Sequence, residues 1–117
     1  MHRHIFCPRT YEEGKKLPAI VLCTGWGGNK GNLNRTYARA FAAAGFVVLT
    51  FDYRGWGESD SRLVIEGPMP IPDENGMVTV KARAIRELVD PVDQLEDIQS
   101  AIGYLEGEAM VDENRIG

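Results

Sequence analysis

Two apolar runs, each ending in a cluster of glycines, constrain this chain more than any other feature. Ala19-Ile20-Val21-Leu22-Cys23 leads into Thr24-Gly25-Trp26-Gly27-Gly28. Phe46-Val47-Val48-Leu49-Thr50-Phe51 leads into Asp52-Tyr53-Arg54-Gly55-Trp56-Gly57-Glu58-Ser59. Continuous rather than alternating apolarity predicts strands covered on both faces, as in a parallel sheet. Between the runs, Leu33, Tyr37, Phe41 and Ala44 recur at near-helical spacing. That spacing predicts a helix from about Asn34 to Ala44, with Asn32 or Asn34 capping its start and Gly45 just past its end. Strand, helix and strand make a βαβ unit with a right-handed crossover, so the fold class is α/β. Cys23, at the end of the first run, reads as a small core residue.

Beyond the second loop the pattern degrades. Gly67, Pro68, Pro70, Pro72 and Gly76 break any long element between residues 61 and 87. Leu63 to Ile65 and Met77 to Val80 are expected to form a small hairpin. A loop of this length is unusual in a minimal α/β unit and reads as an insertion, either a flap over a substrate or a surface excursion. The clearest helix signal comes next: Asp90 is the expected N-cap and Pro91 the first helical residue. Val92, Leu95, Ile98, Ile102 and Leu105 form an apolar stripe, and Gly107 offers a stop. Asp93, Glu96 and Asp97 read as a solvated face, favourable near the positive end of the helix dipole. Val111 to Asn114 reads as a turn, and Arg115-Ile116 as the opening of another strand.

Composition excludes several classes. A net charge of -4 lacks the basic face that nucleic acid requires. No apolar run approaches the ~18–20 residues that span a bilayer, and no leader is visible, so a cytoplasmic protein is expected. Cys7 and Cys23 match no zinc spacing, and His2 and His4 have no carboxylate or cysteine cluster beside them in sequence. Neither a metal nor a cofactor is expected. The 117 residues suit one domain. With three main strands at most and open sheet edges, the chain is expected to be weakly stable or to self-associate.

The loops after the two strands carry the chemistry, because ligands bind at the carboxyl ends of parallel strands. Gly25, Gly27 and Gly28 let backbone N–H groups approach a ligand. A Walker loop fails on spacing, since Lys30 lies between Asn29 and Gly31. The dinucleotide fingerprint also lacks its third glycine, although Asp52 mimics the ribose-binding acid, so a Rossmann-type nucleotide binder stays open. An oxyanion-binding loop fits the spacing better, with a tight structural turn as the plainer alternative. In the second loop, Arg54 is expected to pair with Asp52 and Glu58 and brace the turn. Trp56 reads as a pocket wall or as packing. Ser59 lacks the G-x-S-x-G elbow and an activating histidine, and is rejected as a nucleophile.

With these motifs in order, the chain resembles the α/β-hydrolase superfamily. The resemblance rests on residues 17 to 28, on 45 to 59, and on Asp90-Pro91-Val92-Asp93-Gln94-Leu95-Glu96-Asp97-Ile98 running to Asp112-Glu113-Asn114-Arg115-Ile116-Gly117. It is most similar to the dienelactone hydrolase, acetyl xylan esterase and X-Pro dipeptidyl-peptidase-like branches. The resemblance implies a three-layer αβα fold with a mostly parallel sheet. It implies one catalytic domain of which residues 1–117 are the N-terminal part, ending just before the nucleophile elbow. It further implies that the Trp26 backbone N–H is an oxyanion donor, with Gly25, Gly27, Gly28 and Trp56 at the substrate and Asp52 and Arg54 as structural support. The catalytic serine or cysteine, the acid and the histidine would lie beyond Gly117, and the substrate would be a small ester, amide or peptide. Many members carry His-Gly where this chain has Thr24-Gly25. A module that keeps the fold without catalysis is the remaining alternative.

Overall fold

The computed structural model describes residues 1–25 and 28–117. Its main sheet has the order β1-β3-β2-β6, formed by β1 (Arg3–Phe6), β2 (Leu17–Leu22), β3 (Val47–Phe51) and β6 (Val111–Ile116). β3 runs parallel to β2, pairing Ala19 with Val47 through Leu22 with Thr50. β6 joins β2 in parallel, whereas β1 lies antiparallel along the other edge of β3. The chain is thus α/β with a mixed sheet. The last strand begins at Val111, four residues before the expected start, because Val111 pairs with Leu17 and is buried against the core.

Every residue of β3 is buried. Side chains alternate across a strand, so successive residues serve two different clusters. Val47, Leu49 and Phe51 pack with Ala101 and Leu105, which belong to the long helix described below. Val48 packs with Ala38 and Ala42.

The first helical region starts earlier than its periodicity suggests. It comprises α1 (Lys30–Leu33), a π-helical stretch (Asn34–Ala38) and α2 (Arg39–Ala43), with Asn29 at the N-cap. Asn34 is therefore not the cap: its side chain accepts from the Thr50 hydroxyl and meets His4 Nδ1 at 2.8 Å. Thr36 Oγ1 donates back to the Asn32 carbonyl (2.8 Å), a local competitor for helical hydrogen bonds that accompanies the wide turn. The buried face is Ala38 and Ala42; Tyr37 points outward and stacks on Phe41. Small residues allow the helix to approach the sheet closely, which a tyrosine at that position would prevent. The end follows the expectation at Gly45, whose φ is +105°. Phe46 N–H donates to the Phe41 carbonyl and Gly45 N–H to that of Ala42, closing a Schellman motif.

α3 (Pro91–Glu106) begins as expected, with Asp90 accepting from Val92 N–H (3.0 Å) and Asp93 N–H (3.3 Å). Its buried line is Asp97, Ala101 and Leu105, spaced i, i+4, i+8. Val92 and Leu95 of the expected stripe are exposed. The acidic face is only partly solvated, since Asp97 has been drawn into the protein.

The insertion forms a separate two-stranded sheet of β4 (Arg62–Glu66) and β5 (Lys81–Ile85). Its second strand lies after Met77 to Val80, where it was expected. Pairing Arg62 with Ile85 and Glu66 with Lys81 leaves residues 67–80 as the connection. Among the described residues, no helix is long and apolar enough to cross a membrane.

Candidate functional site

Parallel β2 and β3 end side by side, and that places their following loops next to each other. A cavity of about 110 Å³ opens between them, lined by Thr24, Gly25 and Gly28 from the first loop and Tyr53 and Trp56 from the second. Val89 and Gln94, flanking the start of α3, complete its wall. Trp26 and Gly27, singled out in the sequence, lie outside the described residues. Gly28 N–H is engaged by the Gly25 carbonyl at 3.1 Å.

The loops are also tied together by an ion pair that the sequence did not suggest. Lys30 Nζ donates to Asp52 Oδ2 (2.8 Å), and both side chains are almost wholly buried. Lys30 N–H donates to Asp52 Oδ1 (2.8 Å), and Glu58 N–H to Oδ2 (3.0 Å). Asp52 therefore joins the end of the glycine loop to both ends of its own loop. Burial alone would raise the Asp52 pKa; hydrogen bonds from Lys30 and the backbone amides of Glu58 and Lys30 outweigh it and lower it. Burial likewise opposes the charge on Lys30, yet bonds to Asp52 and Glu58 raise its pKa. A dinucleotide reading needs Asp52 free for a ribose, but both its oxygens are occupied.

Arg54 does not make the expected pair with Asp52 and Glu58. Its main-chain N–H and its guanidinium instead both reach Asp97 of α3, at 2.8 Å from N to Oδ2 and at 3.0 and 2.9 Å from Nε and Nη2 to Oδ1. Asp93 and Glu96 add outer contacts. The physical reason is direction: after β3 the chain turns Arg54 toward α3 while Asp52 faces α1. The hydrogen bond that Arg54 donates to Asp97 is the main reason the Arg54 pKa is raised. We expect Asp97→Ala to lower unfolding free energy by about 1.5–3 kcal/mol, because charged hydrogen bonds and the acceptor for the Arg54 backbone N–H are lost together. Urea denaturation checks this; a change below about 0.5 kcal/mol would contradict it.

Ser59 is equally committed. Its hydroxyl donates to the Asp52 carbonyl (2.6 Å) and accepts from His2 N–H (2.7 Å), and the residue is buried. His2, Asp52 and Glu58 gather into a potential metal-ligand set, but the Lys30 ammonium already bridges Asp52 and Glu58. That supplies the positive charge the carboxylates need.

Trp56 is held by Nε1–H donation to the Leu88 carbonyl at 3.2 Å. Arg86 donates to the Ser59 and Gly57 carbonyls, and Glu87 N–H to that of Gly55. The base of the insertion is thus strapped onto the second loop. Tyr53, Val89 and Gln94 escaped sequence reasoning as cavity residues. Tyr53 carried a detectable signal, being next to Asp52 in a strand-end loop; the other two are brought in only by helix placement. Burial first, then the neighbouring Cys23 thiol and Asp97 carboxylate, push the Tyr53 phenol up to about 12, so it remains protonated at neutral pH. Cys23 itself is exposed at the strand end rather than in the core.

A mixed α/β sheet with two converging strand-end loops is the setting in which the family match falls. The family model described as X-Pro dipeptidyl-peptidase (S15 family) matches residues 1–79, and the chain belongs to that family of hydrolases. Among similar proteins, an uncharacterized 31.7 kDa protein of the traX-finO intergenic region of Escherichia coli is 37% identical over 109 residues. That alignment covers 93% of this chain and 30% of the relative. Uncharacterized protein YcjY of Escherichia coli K12 is 33% identical, covering 97% of this chain and 30% of its own length. The quorum-quenching protein AidA of Acinetobacter baumannii is 30% identical, covering 85% and 25%. The chain spans less than a third of each relative.

Proposed function

We propose that the chain is the N-terminal part of an α/β-hydrolase catalytic domain of three-layer αβα form. The whole protein would cleave an ester, amide or peptide bond through a covalent acyl-enzyme. The observation that carries this reading is the cavity where Thr24, Gly25 and Gly28 meet Tyr53 and Trp56 at the ends of two parallel strands. Membership of a hydrolase family supports it. In this reading the backbone N–H of Trp26 polarises the substrate carbonyl and stabilises the developing oxyanion. Gly25, Gly27 and Gly28 shape that loop, and Trp56 forms a wall against the acyl or side-chain group. Asp52, held by Lys30, and Arg54, held by Asp97, fix the loops so that the donor needs no reorganisation. The nucleophilic serine or cysteine, its histidine and its acid come from the remainder of the whole protein. The family description makes an Xaa-Pro dipeptidyl substrate the first to try.

The test uses the whole-length protein, p-nitrophenyl acetate and an Xaa-Pro p-nitroanilide. Trp56→Ala is expected to raise KM roughly tenfold on the substrate that is turned over. Ser59→Ala is expected to leave both turnover and fluorophosphonate labelling intact. The 117-residue chain alone is expected to give background rates. Loss of fluorophosphonate labelling in a Ser59→Ala variant that stays folded by circular dichroism, or saturable NAD(H) binding with no hydrolysis, would overturn the proposal.

A further inference from the structure

The β4–β5 hairpin stands away from the rest of the chain. The radius of gyration is 18.3 Å, against about 13 Å for a compact domain of this length. The register puts Leu63, Ile65, Ala82 and Ala84 together on one face, and all four are exposed. A two-stranded ribbon with an uncovered apolar face and two open edges is marginal by itself.

We propose that β4 is the edge through which two copies of the chain associate, strand to antiparallel strand about a two-fold axis at Val64. The β4 sequence Arg62-Leu63-Val64-Ile65-Glu66 is self-complementary in charge. In that pairing Arg62 lies opposite Glu66 of the second copy, twice over, and Leu63 lies opposite Ile65. Opposite charges directly across strands stabilise, and like charges destabilise. The β5 edge is unsuited: its central residue is Arg83, which would face its own copy. Pairing through β4 gives a four-stranded sheet, and the apolar faces of both hairpins become one continuous strip. An isologous contact of this kind closes as a dimer instead of growing into fibres. Strand pairing also supplies partners for the open-edge N–H and C=O groups, which lipid tails cannot do.

The consequence for the site follows from direction. Because Glu66 of one copy lies beside Arg62 of the other, the connection after Glu66 continues toward the other copy's main sheet. Arg62 borders a small cavity with Leu88, Asp93 and Gln94, and Gln94 also lines the candidate site. Exposed Met69 and Ile71, the latter 92% accessible, are thereby carried toward exposed Leu88 and Val92 of the second copy.

Sedimentation velocity on the whole-length protein, over a range of concentrations, is the first test. A reversible dimer is expected. Arg62→Glu sets like charges opposite each other twice and is expected to weaken association about tenfold or more. Circular dichroism checks that each variant stays folded. Independently, Val64→Cys in a Cys7→Ser, Cys23→Ser background is expected to cross-link between copies with oxidised glutathione. Two thiols would be oxidised to one disulfide as the glutathione disulfide is reduced to two thiols. Arg83→Cys in the same background is expected not to cross-link. A monomer at every concentration, a dimer indifferent to Arg62→Glu, or cross-linking at residue 83 but not 64 would overturn the proposal. So would a monomer that co-sediments with phosphatidylserine vesicles through the hairpin.

Discussion

Lys30→Met is expected to destabilise the chain by about 3–5 kcal/mol, the usual cost of leaving one member of a buried ion pair alone. Methionine keeps the volume and the apolar stem of lysine but removes the ammonium. Asp52, only 1% accessible, would then hold a buried charge against two backbone amides. Glu58→Gln should matter far less, because that carboxylate is largely exposed and can return to water. Urea-induced unfolding followed by circular dichroism measures both; equal, small effects would show that the pair contributes nothing.

The same pair sets the pH dependence. The folded pKa of Asp52 is lowered, so its contribution is complete above its unfolded value of about 3.9 and is lost as pH falls through the folded value. The folded pKa of Lys30 is raised, so its contribution is complete below about 10.4 and is lost as pH rises through the higher folded value. Stability should therefore fall at both ends of the pH range, and Lys30→Met should flatten both falls.

Gly57→Ala is the second large effect, expected at about 3 kcal/mol or more. Two costs combine. Gly57 has a φ of +51°, which an alanine adopts at a cost of about 1–2 kcal/mol. An added Cβ would also overlap the Asp52 carboxylate, Cγ and both oxygens included. The loop would have to open, and the Lys30–Asp52 bond would open with it. Gly67→Ala is the matched control. Its φ is +78°, but nothing lies within 4 Å of an added Cβ, so only the backbone term remains. If the two alanine variants unfold at the same urea concentration, the Asp52 contact is not tight. Because Gly57→Ala and Lys30→Met act on one carboxylate, their effects should not add.

The parts legible in the sequence were those fixed locally. Asp90 and Pro91 mark the start of α3 through capping geometry alone, and Gly45 ends the first helical region because the Schellman turn needs a positive φ. The apolar run of β3 forecast a strand buried on both faces, and it is. The errors share a cause. Tyr37, Val92 and Leu95 satisfy helical periodicity but face outward, because the sheet accepts a line of alanines and a paired aspartate more closely than larger side chains. Cys23 looked like core because it continues an apolar run, yet the strand has already ended there.

For the site, the sequence by itself determined that two glycine-bearing loops leave neighbouring parallel strands, since backbone freedom and apolar runs are local properties. Which acid meets which base was decided by tertiary structure. Lys30 rather than Arg54 holds Asp52, and Arg54 reaches 43 residues along the chain to Asp97. Charge attraction has no sequence period, so only the packing of helices against the sheet could choose among thirteen cations and seventeen acids.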